Sequence, residues 1–302
     1  MNRIKEADVL LKMELPGLKL LRRGKVRDVY EAGADRLLMV TTDRVSAFDV
    51  VMSEGVREKG KVLTQMSAFW FEKLARFVPH HLISTKVSDF PERAREAQEQ
   101  LAGRTMLVHK TRPIEVECVV RGYLDGSAWA EYKESGTIAG EKLPKGLRQR
   151  SPLPKPIFTP ATKNFSGHDE NISFAQAAQK LGDEVAEQLR ETSLAIYRAA
   201  HAGLLEKGLA LSDTKFEFGW RGDELLLIDE ALTPDSSRFW EAETYHPDRK
   251  PVGFDKQFLR DYLKECDWNF APPPPKLPEK ITEKLTELYR TAFRRITGEE
   301  LK

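Results

Sequence analysis

Apolar and polar positions along the first third of the chain alternate in short runs that predict strands. Residues 25–42, KVRDVYEAGADRLLMVTT, hold two β-rich runs around Ala32-Gly33-Ala34-Asp35, a hairpin pattern. A polar-aromatic loop, DRVSAFDVV, is expected at 43–51. Residues 62–77, VLTQMSAFWFEKLARF, carry apolar side chains at helical spacing and predict a helix packed on a sheet. Residues 91–101 are charged and helix-prone. TMLVHK and PIEVECVVRGY give two strands, broken at Thr111-Arg112-Pro113 because proline has no ladder donor.

That break is the expected hinge between two lobes. AWAEYKESG then predicts a short helix ended by Gly136. SPLPKPIFTPATK (151–163) holds four prolines and is expected as a loop. Residues 173–207 predict a long helical stretch broken near Gly182, and LALSDTKFEFGWRGDELLLIDE predicts a hairpin. Pro272 to Pro275 form a spacer, and residues 279–296 form a terminal helix that Pro278 starts. The pattern predicts an α+β fold with two lobes, residues 1–113 and 114–270, followed by a spacer and helix at 271–302.

Composition narrows the function classes. The chain has 302 residues, with 48 Lys plus Arg against 47 Asp plus Glu, a formal charge of +1. A general nucleic-acid binder would carry a basic surplus. Cys118 and Cys266 form no CxxC pair or disulfide framework. The start, MNRIKEADVLLKM, has charges within its apolar stretch, and no run nears about 18 apolar residues. A cytoplasmic protein with no membrane or nucleic-acid partner is expected, acting as a monomer or small homo-oligomer.

The candidate chemistry is anionic. Arg22-Arg23-Gly24-Lys25-Val26-Arg27 places a glycine among cations before a strand, as a phosphate-covering loop needs. It is not a Walker A loop, since Val26 stands where Ser or Thr is required. A solvated basic turn is the plainer reading of that segment taken alone. In the later hairpin, Asp213, Lys215 and Glu217 alternate with Thr214, Phe216 and Phe218, so the charged set shares one face. Its second strand, Leu225 to Ile228, is continuously apolar and ends in Asp229-Glu230. Carboxylates at the end of a buried strand need a partner or a cation, and Mg²⁺ is commonly held by one or two carboxylates plus substrate phosphates. A bulge at Gly222 is expected to bring Asp229 onto the Glu217 face; a regular turn would bring Glu230 there instead. Asp235-Ser236-Ser237-Arg238, and Val120-Arg121-Gly122 with Gly126-Ser127, each suit an anion, although serines there also suit helix caps. The six histidines show no metal spacing: His80-His81 is expected as a surface turn, and His168-Asp169-Glu170 as a polar loop. No G-x-S-x-G elbow appears.

Long segments then match a family. GKVRDVYE at 24–31, TTDRVSAFDVVM at 41–52, KGKVLTQMSAFWF at 59–71, EVECVVRGYLDGSAWAEY at 115–132, FTPATK at 158–163, HDENIS at 168–173, DTKFEFG at 213–219 and IDEALTPDSSRFW at 228–240 occur in order. Together they resemble the SAICAR synthetase family, in its longer form with a C-terminal extension.

The resemblance implies an ATP-grasp-like fold and an ATP-dependent ligase. It would join L-aspartate to the carboxylate of carboxyaminoimidazole ribonucleotide (CAIR), releasing ADP and phosphate, with ATP and Mg²⁺ as cofactors. The implied chemistry phosphorylates the carboxylate, because oxide is a poor leaving group and phosphate a good one; stepwise and concerted attack both stay open. By position, Lys25, Val26 and Arg27 match the nucleotide loop, with Arg27 standing where some members have lysine. His109, Lys110 and Thr111 match the adenine border, and Glu217 and Asp229 the acidic positions near metal and nucleotide. Arg121, Ser127, Ser237 and Arg238 match residues that grip the anionic substrate. Asp213 and Lys215 match catalytic positions near the imidazole carboxylate, and Lys163 a lysine at the cleft. Ser46 and Asp49 match contacts in a loop closing near aspartate. A small-molecule kinase would share the basic loop and acidic pair but would not need a third anionic subsite.

Overall fold

A computed structural model describes residues 9–162, 170–249 and 251–302. Its first half runs β1 (Leu20–Arg23), β2 (Arg27–Glu31), β3 (Arg36–Thr41), β4 (Arg44–Ala47), β5 (Val50–Gly55), α1 (Lys59–Leu74), β6 (Leu82–Ser84), α2 (Glu92–Arg95), α3 (Gln98–Leu101) and β7 (Thr105–His109). Five of these strands make an antiparallel sheet in the order β1-β2-β3-β7-β6. The helix predicted from 62–77 forms three residues earlier. Val62, Met66, Trp70 and Leu74 recur at intervals of four and bury one face.

The stretch expected as a loop at 43–51 is instead the β4–β5 hairpin, with Phe48 (φ 52°) and Asp49 (φ 62°) at its tip. Two consecutive left-handed residues match the twist of a tight hairpin, but Phe-Asp lacks the Asn-Gly signature that would announce it.

The second half starts as soon as the chain leaves β7: β8 (Arg112–Pro113), β9 (Val116–Tyr123), α4 (Ser127–Ser135), β10 (Thr137–Ile138), β11 (Glu141–Lys142), β12 (Pro152–Phe158), β13 (Ala161–Thr162), α5 (Phe174–Leu181), α6 (Asp183–Leu205), β14 (Leu209–Arg221), β15 (Glu224–Ile228), β16 (Ser237–Glu241), α7 (Gln257–Glu265) and α8 (Glu279–Thr297). Its sheet is built on β14, whose 13 residues take β8 and β9 along one edge and β15 and β16 along the other. The proline segment at 151–163, expected as a loop, supplies β12 on the outer side of β9. An edge strand tolerates proline, since its outward positions need no donor.

α8 buries Ile281, Leu285, Tyr289 and Phe293, again at intervals of four, and packs on α1. The segment before it packs on the β4–β5 hairpin. Phe48 meets Phe270 at 4.6 Å and Trp268 at 6.4 Å between ring centroids, and the Leu277 amide donates to Glu54 Oε2 at 2.9 Å. The C-terminal extension therefore covers the first half of the chain. His80-His81, expected as a surface turn, lies against the core: His81 is buried beside Phe71 and donates its amide to the Leu227 carbonyl at 3.0 Å. No described helix is long and apolar enough to cross a membrane.

Candidate active site

The strand β14 carries the site. Its alternation puts Phe216 and Phe218 into the core and Asp213, Lys215 and Glu217 on the opposite face. Cross-strand register supplies the partners. Asp213 stands opposite Arg121 of β9 on one side and opposite Arg238 of β16 on the other. Directly opposed residues point to the same face, so two guanidiniums converge on one buried carboxylate. Arg238 Nε donates to Asp213 Oδ1 at 3.0 Å and Nη2 to Oδ2 at 2.5 Å. Arg121 Nη1 reaches Oδ2 at 3.2 Å, and its other nitrogens donate to Thr159 Oγ1 and Ser127 Oγ, both at 3.0 Å. Burial opposes ionisation of Asp213, but Arg238 and Arg121 outweigh it and hold the carboxyl below its ordinary range.

Two cations to one anion leave one positive charge, and Asp125 meets Arg238 only at 3.5 Å. These groups open into a cavity of about 760 Å³. Arg121, Ser127, Asp213, Lys215, Ser237 and Arg238 all line it. Gly126 makes the approach feasible: its φ is 59°, and a Cβ there would lie 2.5 Å from the Arg238 guanidinium.

Lys215 links this cavity to a second cluster. Its Nζ contacts Glu117 Oε1 at 2.5 Å and Glu217 Oε1 at 3.1 Å. Burial would deprotonate it, but Glu217 and Glu117 dominate and raise its pKa, so it stays an ammonium.

Asp229 reaches the second cluster by a different route from the one expected. The β14–β15 turn is a regular two-residue turn at Gly222-Asp223 with no bulge, and Glu217 stands opposite Ile228. Strand parity alone would have turned Asp229 away. The chain instead breaks parity at Asp229 itself, which has a φ of 65°. Arg27 Nη1 then holds both Asp229 oxygens at 2.9 Å, and its Nη2 holds Glu230 Oε2 at 3.0 Å. Burial, with Glu217 and Glu230 nearby, raises the Asp229 pKa against the pull of Arg27. Crowded carboxylates of this kind suit a divalent cation. Among the described residues no group of three or more His, Cys, Asp or Glu is arranged to hold a metal.

The remaining expected residues lie around this second cluster or apart from it. Lys25 and Asp49 form an exposed ion pair, joining the β1–β2 loop to the tip of the β4–β5 hairpin. Ser46 lies on β4, half-buried. Val26 is half-buried, and its carbonyl accepts from the Thr42 amide at 2.9 Å and hydroxyl at 2.6 Å. His109, Lys110 and Thr111 form the crossing between the sheets. The His109 amide donates to the His81 carbonyl and the Lys110 amide to the Asp35 carbonyl, both at 2.8 Å, while Thr111 rests against Gly219. None of these residues lines the 760 Å³ cavity. Lys163, His168 and Asp169 lie outside the described residues.

The sequence pointed to Asp235 but not to the buried partners it meets. Lys59 is fully buried, and its Nζ lies 2.8 Å from Asp235 Oδ2. Lys256 Nζ reaches the same oxygen at 2.7 Å, and the Tyr289 hydroxyl donates to Asp235 Oδ1 at 2.5 Å. Burial pushes Lys59 down to about 8 despite Asp235. Lys256 and Lys59 together overcome burial and hold Asp235 well below the usual carboxylate range. The available signal was a lysine at the start of an amphipathic helix, which usually means solvent.

Comparison with known proteins follows the same geometry. A sequence model of the family described as SAICAR synthetase matches residues 20–275. The phosphoribosylaminoimidazole-succinocarboxamide synthase of Syntrophotalea carbinolica is 53% identical over 291 residues, covering 96% of this chain and 98% of that protein. The solved SAICAR synthase of Saccharomyces cerevisiae, complexed with SAICAR, superposes with a TM-score of 0.88 at 42% identity, covering 96% of this chain and 99% of that one. A SAICAR synthetase solved with ADP superposes with a TM-score of 0.68 at 25% identity, covering 93% of this chain and 99% of that one.

Proposed function

The chain belongs to the SAICAR synthetase family, and from that premise we propose how its residues divide the work. The reaction joins L-aspartate to the carboxylate of CAIR, gives SAICAR, ADP and phosphate, and serves purine biosynthesis. All three substrates are anions, so a near-neutral protein must gather its cations locally. The observation that carries the assignment is the convergence of Arg121 and Arg238 on Asp213, inside a cavity that Lys215 also lines.

In this reading Arg121, Ser127, Ser237 and Arg238 grip the phosphorylated imidazole substrate. Asp213 holds both guanidiniums at a fixed spacing. Lys215, kept as an ammonium, lies against the imidazole carboxylate. That carboxylate oxygen attacks the γ-phosphorus of ATP, and the bond to the ADP oxygen breaks. The neutral aspartate amine then attacks the carbonyl carbon of the acyl phosphate, the carbon–oxygen bond to phosphate breaks, and the proton the nitrogen loses leaves on the phosphate. Lys25, Val26 and Arg27, with His109, Lys110 and Thr111, hold the nucleotide. Glu217 and Asp229 would hold Mg²⁺, whose charge screens the ATP phosphates when it is bound. With a cation on Asp229, Arg27 would be left to face phosphate. Ser46 and Asp49, on the hairpin beside Lys25, belong to the aspartate side, and Lys163 is assigned to substrate by family resemblance alone.

The partners in this reading are small molecules in the cytoplasm, and the near-zero net charge favours neither nucleic acid nor an anionic membrane. The deciding experiment measures ADP release with ATP and Mg²⁺, adding CAIR and L-aspartate separately and together. Release should require both, with SAICAR formed. Equal release without aspartate, with a stable phosphorylated product, would replace the ligase by a kinase.

A further inference from the structure

Asp235 sits in the turn that leads into β16, two residues before Ser237 and three before Arg238. The turn is closed on itself: the Ser236 and Ser237 amides donate to the Thr233 carbonyl at 3.2 and 2.9 Å, and the Thr233 amide donates to Ser236 Oγ at 3.1 Å. Asp235 ties it to the rest of the molecule. Both of its carboxylate oxygens are used, by Lys59 of α1, by Lys256 just before α7 and by Tyr289 of α8. The side chains of Lys59, Asp235 and Lys256 are 0%, 4% and 9% exposed, and Tyr289 is fully buried. Side chains from α1, from α8 and from the residue before α7 therefore meet at one carboxylate.

We propose that Tyr289, Lys59 and Lys256 are positioning residues for substrate binding, and that the C-terminal helix acts in the reaction by fixing the Thr233–Arg238 turn through Asp235. The proposal rests on the reading that Ser237 and Arg238 grip the imidazole nucleotide. Tyr289 carries the most specific part of it. Its ring packs between α8 and α1, with Lys59 Nζ 5.7 Å from the ring centroid, so removing only the hydroxyl keeps the packing and deletes one hydrogen bond to a charged acceptor. A freed Asp235 lets the turn shift, and the loss should fall on the substrate that the turn holds.

The test uses the full chain with Tyr289→Phe, Lys256→Met and Arg238→Lys, and reads KM for CAIR, KM for ATP, kcat and melting temperature. Tyr289→Phe should raise KM for CAIR about tenfold while KM for ATP stays within about twofold. Lys256→Met should give the same split. A lowered melting temperature with an unchanged KM for CAIR in both variants would make the network purely structural and overturn the proposal. An unchanged KM for CAIR in Arg238→Lys would remove the underlying reading, and the proposal with it. A raised KM in Arg238→Lys alone would leave that reading standing and overturn only the role of the C-terminal helix.

Discussion

Arg27 holds both carboxylate oxygens of Asp229 at 2.9 Å across 202 residues of sequence. The pair joins the first strand after the basic loop to the residue that follows β15, so the two sheets meet at a half-buried ion pair. If Asp229 holds the metal, this pair is the resting arrangement and must open on nucleotide binding. Asp229→Asn keeps the volume and removes the charge. We expect kcat to fall about 100-fold and the Mg²⁺ concentration for half-maximal rate to rise. Initial rates over a Mg²⁺ titration check this. An unchanged rate and Mg²⁺ dependence would take Asp229 out of the metal site.

Gly126 tests the anion pocket without replacing any of its charged residues. Its left-handed backbone disfavours any other residue, and a Cβ would sit 2.5 Å from the Arg238 guanidinium. Gly126→Ala should displace Arg238 from Asp213. KM for CAIR should rise about tenfold with KM for ATP nearly constant, at a cost of about 1–2 kcal/mol in stability. Equal losses for both substrates would show that the cavity is not specific to the imidazole nucleotide.

His81 should make the fold acid-sensitive. Burial, with smaller contributions from His80 and Arg27, pushes its pKa down to about 3 from an ordinary 6.5. Between pH 6.5 and about 3 the unfolded chain takes up a proton that the native imidazole refuses. Stability is therefore complete above pH 6.5 and falls as the pH drops, by up to about 1.4 kcal/mol per pH unit. In His81→Gln that loss disappears. The melting-temperature advantage of the wild type over the variant should shrink between pH 7 and pH 5, and a constant gap would show that His81 protonates in the native state.

The charged face of β14 was legible in advance because side-chain alternation is a local property. The chain itself spells out Asp213, Lys215 and Glu217. Their meeting with Arg121 and Arg238 was not legible from pattern, since it depends on the register of two other strands. Family resemblance pointed to those arginines but supplied no reason for their convergence. Asp229 shows the opposite limit. A bulge would have satisfied parity, yet one left-handed residue after a regular turn did so without changing the hairpin. The prolines at 152–156 misled because proline breaks central strands, while β12 lies outside β9. Asp235 was visible as part of an anion-binding cluster. Its lysine and tyrosine partners were not, because they come from helices whose exposed and buried faces only packing decides.

Asp255 gives the sharpest pH test, because its sign is opposite to that of His81. It is 2% exposed and lines the same cavity as Arg238. One oxygen accepts from the Gln257 amide at 2.6 Å, and the other has no hydrogen-bond partner among the described residues. Burial raises its pKa to about 6 from 3.8, against the Gln257 amide and the charges of Arg260 and Arg238. Because the folded pKa lies above the unfolded one, the native state keeps a proton that the unfolded chain releases between pH 3.8 and about 6. The stability from this group is present below pH 3.8 and is lost as the pH rises through 6, on the order of 3 kcal/mol in all. Asp255→Asn cannot ionise and escapes that loss. Relative to the wild type, the melting temperature of Asp255→Asn should climb between pH 4.5 and pH 7. The Asn amide places a donor where the unpartnered oxygen stood, which shifts the variant by a fixed amount at every pH and leaves the slope intact. A difference that stays flat across this range would mean that Asp255 ionises normally in the fold, with a cation from the cavity wall as its partner.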